Sequence, residues 1–308
     1  MTFSNYTRNE LARVIPSARC CRIAELSALY DLDGFILGRK NQYLDFNNSS
    51  PLVARKIWVL LRGLYPGLPI QVLFVKSRSR RSQTCTVRVL GKEAVGRVYR
   101  DFRDQDVLDG DGVPRKKCCR RAYLRGAFLS RGSVTNPEKT YHLEIATEQT
   151  LAAAKLRLIL LSLDLEPGVI QRQGSFVVYL KEGQLIVNLL NLMGAHGALL
   201  RFENVRVMKD MRNQINRLVN CETANVDKTV RASLAQIEDI QLIDAKLGLD
   251  NLPSKLREVA LARLNNPYAS LQELGDSLRP RLSKSGVNYR IKQLQKKAQE
   301  LDRLDPKA

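Results

Sequence analysis

Two short stretches of the sequence carry side chains of opposite charge at the same position. These are LSALYDLDG (Leu26–Gly34) and LRGAFLSRG (Leu124–Gly132), in which the residue before the final glycine is Asp33 and Arg131, respectively. A carboxylate such as Asp33 can bind a hard divalent cation, which needs several oxygen ligands around it. A guanidinium at the paired position repels such an ion, so this pair of residues argues against metal-dependent catalysis.

The two stretches belong to a longer internal repeat. CCRIAELSALYDLDGFI (Cys20–Ile36) and CCRRAYLRGAFLSRGSV (Cys118–Val134) align at a constant offset of 98 residues, which a duplication explains most simply. Each copy predicts a helix that ends at its glycine, with small residues such as Ala24 and Ala122 where a partner helix would approach closely. We expect the two helices to pack against each other across a pseudo-twofold axis.

These residues also carry a family resemblance. Leu26–Gly34 resembles the LAGLIDADG motif of homing endonucleases, and Leu124–Gly132 is similar to a degenerate second copy. The resemblance implies two αββαββα halves whose interface is formed by the motif helices. In that family the last acidic residue of each motif holds a catalytic metal ion, and Asp33 and Arg131 occupy those positions here. The resemblance therefore supports the fold, while Arg131 argues against the activity.

The order of predicted elements agrees with a duplicated α+β domain over residues 1–203, with repeats of about 20–105 and 118–203. The first copy predicts a strand pair within 36–46, a helix over 52–65, strands over 70–75 and 83–90, and a helix over 92–102. The second predicts strands within 133–147, a helix over 148–163, strands over 169–173 and 176–180, and a helix over 184–192.

The pattern after Phe202 is helical throughout. A bridging helix over 205–219 and a boundary at Asn220–Glu222 predict a helical linker over 204–221. Residues 222–303 then predict an all-α domain with helices over 227–247, 254–264, 271–278 and 284–301.

The last two of these helices indicate a helix-turn-helix. Ser270 and Glu273 form a capping box that begins a short helix, and Ser283 can cap the longer one that follows. Seven basic residues and no acidic one lie between Arg279 and Lys297, which suits phosphate contact. In this motif the second helix enters the major groove of DNA; the alternative is an ordinary helical hairpin with a charged outer face. The predicted DNA-binding residues are Gln272, Ser283, Lys284, Ser285, Asn288, Tyr289, Arg290 and Lys292, with Asn288 suited to an adenine edge and Arg290 or Lys284 to guanine or phosphate.

The charge of the chain points to an acidic partner. A net charge of +19 and a pI near 9.9 imply nucleic acid or an anionic membrane surface. The apolar runs are too short and interrupted for membrane insertion, and the first residues lack the apolar segment of a signal peptide, so we expect a cytoplasmic, nucleoid-associated protein. Residues 222–308 carry 15 basic and 12 acidic residues, which leaves 35 and 19, a net +16, in the rest. The N-terminal domain is therefore expected to add phosphate affinity or to dock a partner protein.

Two further groups of basic residues are candidate phosphate contacts, although charged runs are often only solvated surface. They are Lys76, Arg78, Arg80 and Arg81 in the turn KSRSRR, and Lys228 and Arg231 in NCETANVDKTVRAS (Asn220–Ser233).

The cysteines do not predict a metal site. The adjacent pairs Cys20-Cys21 and Cys118-Cys119 lack the two-residue spacing that lets both thiolates of a pair bind one tetrahedral ion, and the chain has only two histidines. We expect no metal and no other cofactor, and interpret these residues as buried thiols in a reducing compartment.

A duplicated LAGLIDADG-like domain followed by NCETANVDKTVRAS and LSKSGVNYRIKQL (Leu282–Leu294) resembles the WhiA family of bacterial regulators over nearly the whole chain. Arg281 and Tyr289 stand where a proline and a histidine are expected, a difference that bears on base preference. The resemblance implies a transcription factor without nuclease activity that binds double-stranded promoter DNA. It also implies a role in sporulation septation in actinomycetes, with a WhiB-like co-regulator, or in cell division and chromosome segregation in other Gram-positive bacteria. The alternatives are a nucleoid-associated or division-machinery interaction protein and an active homing endonuclease.

Overall fold

The computed structural model describes residues 1–38, 42–76, 83–104, 108–109 and 112–304. The chain divides into two compact units, Met1–Asp210 and Met211–Ala308. The domain limits predicted at 203/204 and 221/222 stay predictions.

The first unit contains two copies of the same series of elements, preceded by one helix. That helix and the first copy are α1 (Phe3–Arg13), α2 (Arg19–Asp33), β1 (Gly34–Leu37), β2 (Tyr43–Asn48), α3 (Pro51–Leu64), β3 (Ile70–Lys76), β4 (Gln83–Leu90) and α4 (Lys92–Phe102). The second copy is α5 (Lys117–Arg131), β5 (Gly132–Val134), β6 (Leu143–Thr147), α6 (Thr150–Leu161), β7 (Gly168–Arg172), β8 (Ser175–Leu180) and α7 (Gly183–Met193). The predicted duplication of αββαββα is confirmed.

Each copy forms one four-stranded antiparallel sheet, and the two sheets have the same strand order. The order is β1-β2-β4-β3 in the first and β5-β6-β8-β7 in the second. Alternate residues of the inner strands, such as Phe46 and its partner Val87, point into the core because side chains alternate across a strand. Helices α3 and α6 follow the second strand of their own copies and bury one apolar side each.

Helices α2 and α5 pack against each other along their length, as predicted, at the centre of this unit. The crossing is close because small residues face each other there, including Ala24 and Ala122, which are almost completely buried. A Cβ atom at Gly126 would overlap the backbone carbonyl oxygen of Glu25 and lie 3.0 Å from the Cβ of Ala28. The small residues of the repeat therefore set the distance between its two helices.

The glycines that end the two helices have a different role from the one expected. Gly34 (φ −97°, ψ 152°) and Gly132 (φ −80°, ψ 146°) have extended backbones, so neither needs the left-handed conformation of a helix-ending glycine. A Cβ atom at these positions would instead overlap Tyr30 or Phe128 in the preceding turn. Glycine thus lets each helix pass directly into the first strand of its sheet.

A buried ionic cluster fixes α2, α3 and α5 to one another. Glu25 on α2 is fully buried and is ion-paired with both Lys56 of α3 and Arg125 of α5. Lys56 Nζ also donates to the carbonyl oxygen of Leu11 at 2.8 Å, and Arg125 Nη1 donates to that of Met193 at 3.1 Å. Burial lowers the pKa of Lys56 to about 8, and the Glu25 carboxylate opposes this shift. One carboxylate is therefore shared by two buried cations.

Two elements differ from the prediction. Helix α1 was not predicted because its residues are mostly polar; it is held by a narrow buried face that includes Leu11. Helix α8 (His196–Leu247) is continuous for 52 residues, so the break predicted at Asn220–Glu222 is wrong. The sequence has neither proline nor glycine between Ala198 and Leu247, and nothing there stops the helix before Gly248, whose φ is +78°.

The second unit contains the rest of α8, a short 3-10 turn (Leu249–Asn251), α9 (Ser254–Asn265), α10 (Leu271–Ser277) and α11 (Lys284–Leu304). Its core is formed by apolar side chains from all four helices, among them Ile243, Val259, Leu274 and Ile291. The helices predicted over 254–264, 271–278 and 284–301 are confirmed to within a few residues at their ends, whereas the one predicted over 227–247 is the last part of α8. Among the described residues, no helix has an apolar stretch long enough to cross a bilayer.

Candidate functional site

Helices α10 and α11 form the predicted helix-turn-helix, and both begin with a cap. Ser270 Oγ accepts a hydrogen bond from Glu273 N at 3.3 Å, and Glu273 Oε2 accepts one from Ser270 N at 2.7 Å, so the capping box is present. The backbone and hydroxyl hydrogen bonds from Ser270 lower the pKa of Glu273. Ser283 Oγ accepts from Gly286 N at 3.2 Å and caps α11. Both starts predicted from the sequence are confirmed.

The turn between these helices depends on Gly275, which the sequence reasoning did not single out. Leu282 N donates to Gly275 O at 3.0 Å and brings the end of the turn against the middle of α10. A Cβ atom at Gly275 would overlap the carbonyl oxygen of Leu282 and lie 3.3 Å from Val287 Cγ2. The glycine is therefore required for the close approach of the two helices.

Substitution of this glycine gives a direct test of the turn. Gly275→Ala is expected to destabilise the second unit by about 1–3 kcal/mol, because backbone must move to admit the methyl group. Gly286→Ala is the matched control: its Cβ would lie 3.5 Å from the nearest atom, within ordinary contact, and alanine favours a helix. Urea denaturation measures both. Equal midpoints for the two variants would contradict this packing.

Five of the eight predicted DNA-binding residues surround one shallow concavity at the N-terminal ends of α10 and α11. The lining residues are Leu271, Gln272, Ser283, Lys284, Ser285 and Asn288. All except the half-buried Leu271 are exposed. Two helix starts, one lysine and four further polar side chains therefore face the same space. Free N–H groups at a helix start attract anions.

The other three predicted residues differ in their surroundings. Tyr289, 64% exposed, and Lys292 are free to contact a partner. Arg290 is half-buried, and its Nη1 donates to the carbonyl oxygen of Lys255 on α9 at 3.3 Å. Its DNA contact stays a prediction, and the structure shows that it also ties α9 to α11.

The candidate phosphate contacts fall into two groups. Lys228 and Arg231 are exposed on α8. Arg78, Arg80, Arg81 and the side chain of Lys76 lie outside the described residues.

A buried arginine that the sequence reasoning missed supports the loop before α10. Arg263 is 2% exposed, and its Nη1 donates to the Ala269 carbonyl oxygen at 2.6 Å and to Ser233 Oγ at 3.2 Å. Ser233 in turn donates to the carbonyl oxygen of Pro267. Burial lowers the pKa of Arg263. This network connects α8 and α9 to the segment that positions the capping box. A single arginine in a helix gives no sequence signal for such burial.

The position of the endonuclease metal site is occupied by an ion pair. Arg131 Nε donates to Asp33 Oδ1 at 2.5 Å, and Ser130 Oγ donates to Asp33 Oδ2 at 2.5 Å. Arg8 is a second nearby cation: its Nη2 donates to the Gly132 carbonyl oxygen at 2.6 Å. Burial lowers the pKa of Arg8, and the charge of Asp33 opposes that shift. Both oxygens of the Asp33 carboxylate are thus engaged.

The open faces of the two sheets also carry paired charges. Arg88 donates from Nε and Nη2 to the two carboxylate oxygens of Asp45 at 2.8 and 2.7 Å, which raises the pKa of Arg88. In the second sheet, Glu144 accepts from Ser133 Oγ at 3.2 Å and lies 3.0 Å from His142 Nε2.

The structure overturns one premise about the cysteines. The spacing argument considered each adjacent pair alone, but the packing of α2 on α5 brings Cys20, Cys21, Cys118 and Cys119 together, with all four sulfur atoms within 4.8 Å of one another. The expectation that the chain binds no metal stays a prediction, but the spacing of the cysteines no longer supports it.

Comparison with known proteins agrees with this architecture. The family model described as WhiA LAGLIDADG-like domain matches residues 120–212, and the one described as WhiA C-terminal HTH domain matches residues 215–298. "Probable cell division protein WhiA" of Heliobacterium modesticaldum is 46% identical over 314 residues, which cover 98% of this chain and 98% of the relative. The protein of the same name from Desulfitobacterium hafniense is 45% identical over 313 residues, covering 98% of this chain and 97% of the relative.

A solved structure extends the agreement to the whole chain. The crystal structure of full-length DUF199/WhiA from Thermatoga maritima is similar with a TM-score of 0.62 and 28% identity, covering 97% of this chain and 99% of that one. The chain belongs to the WhiA family, with a LAGLIDADG-like domain and a C-terminal helix-turn-helix domain.

Proposed function

We propose that this chain is a sequence-specific DNA-binding transcriptional regulator of the WhiA type, which acts at promoters and takes part in cell division and chromosome segregation or in sporulation septation. The observation that carries the proposal is the concavity at the starts of α10 and α11, where Gln272, Ser283, Lys284, Ser285 and Asn288 are presented together. The names of the relatives refer to cell division, which is consistent with this role.

Within this proposal, α11 reads bases and the surrounding residues position it. Asn288 is exposed one turn after the helix start, where its amide can both accept from and donate to an adenine edge in the major groove. Lys284 and the capped helix starts contact phosphate, which fixes the register of α11 but carries no sequence information. Lys228 and Arg231 on α8 add further phosphate contacts.

The N-terminal unit contributes affinity without base readout. Most of the net charge, +16 of +19, lies outside residues 222–308. On the two sheets, Arg88 contacts Asp45 and His142 contacts Glu144. The excess of basic residues elsewhere in this unit therefore supplies the salt-sensitive phosphate contact that supplements the helix-turn-helix. The protein acts on the nucleoid in the cytoplasm, and in an actinomycete host a WhiB-like protein would share the promoter.

Occupancy of the chromosome tests this function. Chromatin immunoprecipitation with sequencing is expected to show the protein concentrated at a limited set of promoters, with transcript levels of those genes changing when the protein is depleted. A broad distribution without sequence preference would instead indicate a nucleoid-associated protein, and no enrichment on DNA would indicate an interaction partner of the division machinery.

The same proposal includes the loss of nuclease activity. We expect the purified protein to leave supercoiled plasmid and selected target duplexes intact in the presence of Mg²⁺, because Arg131 and Ser130 engage the oxygens of Asp33. Asp33→Asn is the matched variant that excludes a contaminating nuclease. Magnesium-dependent nicking by the natural chain that disappears in this variant would refute the proposed loss.

A further inference from the structure

Four cysteines meet at the start of the central helix pair, at the opposite end from Asp33 and Arg131. Cys20 and Cys21 are the second and third residues of α2, and Cys118 and Cys119 are the second and third residues of α5. All four sulfur atoms lie within 4.8 Å of one another, and those of Cys118 and Cys119 are 3.9 Å apart. Because α2 has 15 residues, this cluster lies about 22 Å from the other end of the helix.

The cluster has nearly the dimensions of a four-thiolate metal site. A tetrahedral zinc ion with Zn–S bonds of about 2.3 Å holds its sulfur atoms about 3.8 Å apart. The observed separations therefore need a contraction of about 1 Å or less, which side-chain rotation can supply. Neighbouring residues on one helix point about 100° apart. Here, however, two adjacent pairs approach one point from two helices. The pseudo-twofold axis relates the two pairs.

The surroundings of the sulfur atoms favour negative charge. Neither helix start has a side-chain cap, since the residues before them are Ala18 and Lys116, and the positive end of each helix dipole favours a thiolate there. The segments around the cysteines, 16–24 and 114–124, contain basic residues and no acidic one. The formal charge of −2 on a divalent ion with four thiolates is therefore offset locally.

The thiols already form a hydrogen-bonded network in which the sulfur of Cys118 is the acceptor. Burial, together with the hydrogen bond to Cys118, raises the pKa of Cys21 to about 12. Burial also tends to raise the pKa of Cys118, but hydrogen bonds from Cys21 and Cys119 outweigh it, and the net shift is downward. Cys21 and Cys119 are buried against Ala24 and Ala122, whereas Cys118 is exposed and leaves a path for an ion to enter.

We propose that Cys20, Cys21, Cys118 and Cys119 bind one thiophilic divalent ion, of which Zn²⁺ fits this geometry best. Binding gives a tetrahedral four-thiolate complex and releases to solvent one proton from each cysteine that was a thiol. Since four protein ligands fill the coordination sphere, the site is structural. It ties the two repeats of the LAGLIDADG-like domain together at the helix starts, while the Asp33–Arg131 ion pair lies at the helix ends.

Metal titration of the full-length protein tests the proposal. Protein freed of metal under reducing conditions is titrated with Co²⁺ and then with Zn²⁺. We expect one Co²⁺ per chain, with the thiolate-to-metal charge-transfer and tetrahedral d–d absorption of a four-sulfur site, and its displacement by Zn²⁺. Cys118→Ser should weaken Co²⁺ binding by at least about 100-fold, more than the loss of an outer-shell group. Cys221→Ser, which alters an exposed cysteine on α8, should bind as the natural chain does.

Three results would overturn the site. They are the absence of stoichiometric Co²⁺ or Zn²⁺ binding by fully reduced protein, equal binding by Cys118→Ser, and a spectrum without sulfur-to-cobalt charge transfer. Circular dichroism of Cys118→Ser and of a second variant, Cys20→Ser, shows whether misfolding is the cause of lost binding. Recovery of the chain from cells with disulfides among these four residues, together with no metal uptake after reduction, would assign the cluster to redox chemistry instead.

Discussion

A chain carrying Glu25→Gln is expected to lose about 3–5 kcal/mol of its free energy of unfolding, because removing one partner of a buried ionic cluster leaves the others uncompensated. Glu25 is the shared carboxylate between Lys56 and Arg125, and all three side chains are buried between α2, α3 and α5. Glutamine has the same shape but cannot balance two cations. The loss should therefore come from charge and not from packing.

The dependence of this loss on pH distinguishes the two causes. The pKa of Lys56 is about 8 in the folded chain against an ordinary value of 10.5, so between these values the unfolded chain binds more protons and stability rises with pH. Without Glu25, which favours the charged lysine, this rise begins at lower pH. The difference between variant and natural chain should be largest at low pH, shrink as the pH rises toward 8, and stay nearly constant above it.

Urea denaturation followed by circular dichroism, at several pH values, measures this effect. Glu166→Gln, at an exposed position, is the control and should change stability by less than about 0.5 kcal/mol. If Glu25→Gln is as stable as this control, or if its deficit does not change with pH, the cluster does not hold the central helices as described.

Removing the two central groups of the proposed DNA site is expected to weaken binding to a selected duplex by about 10- to 100-fold, since a base contact and a phosphate contact are both lost. The probe is a duplex that the natural protein selects from a random-sequence library. Lys284→Ala and Asn288→Ala should act differently. The lysine variant should bind selected and scrambled duplexes more weakly and lower the salt slope by about 1. The asparagine variant should lose affinity for the selected duplex alone.

A basic residue further along the same helix provides the control for this pair. Lys296 is exposed on α11 and lies 4.0 Å from Glu300. Lys296→Ala should retain the affinity and specificity of the natural chain. A loss in this variant as large as that in Lys284→Ala would mean that the basic residues of α11 act as general charge and that the start of the helix has no special role.

The sequence predicted most of the fold because its signals are local or repeated. The equivalent motif helices, the order of helices and strands along the chain and the capping box at Ser270 and Glu273 follow from spacing and residue type, and the structure confirms each of them. The endpoints of most helices and strands were predicted to within a few residues for the same reason. The opposite charges of Asp33 and Arg131 were read from the repeat, but their ion pair was not predicted.

Features that depend on the packing of distant segments were not predictable in this way. The burial of Lys56 and Arg263, the need for a glycine at Gly275, and the meeting of four cysteines all arise from contacts between separate helices. The continuous α8 was missed for the opposite reason: a change of residue type at Asn220–Glu222 resembles a boundary, although no residue there interrupts a helix. Polarity alone is therefore a poor guide to where a long helix ends.

The most direct test of base reading by α11 is the selection of duplexes from a random library by the natural chain and by Asn288→Ala, followed by sequencing. The natural chain should enrich a defined motif, and the variant should enrich the same motif without its base preference at the position that Asn288 contacts. An identical motif for the two proteins would show that recognition lies elsewhere and contradict the proposed role of α11.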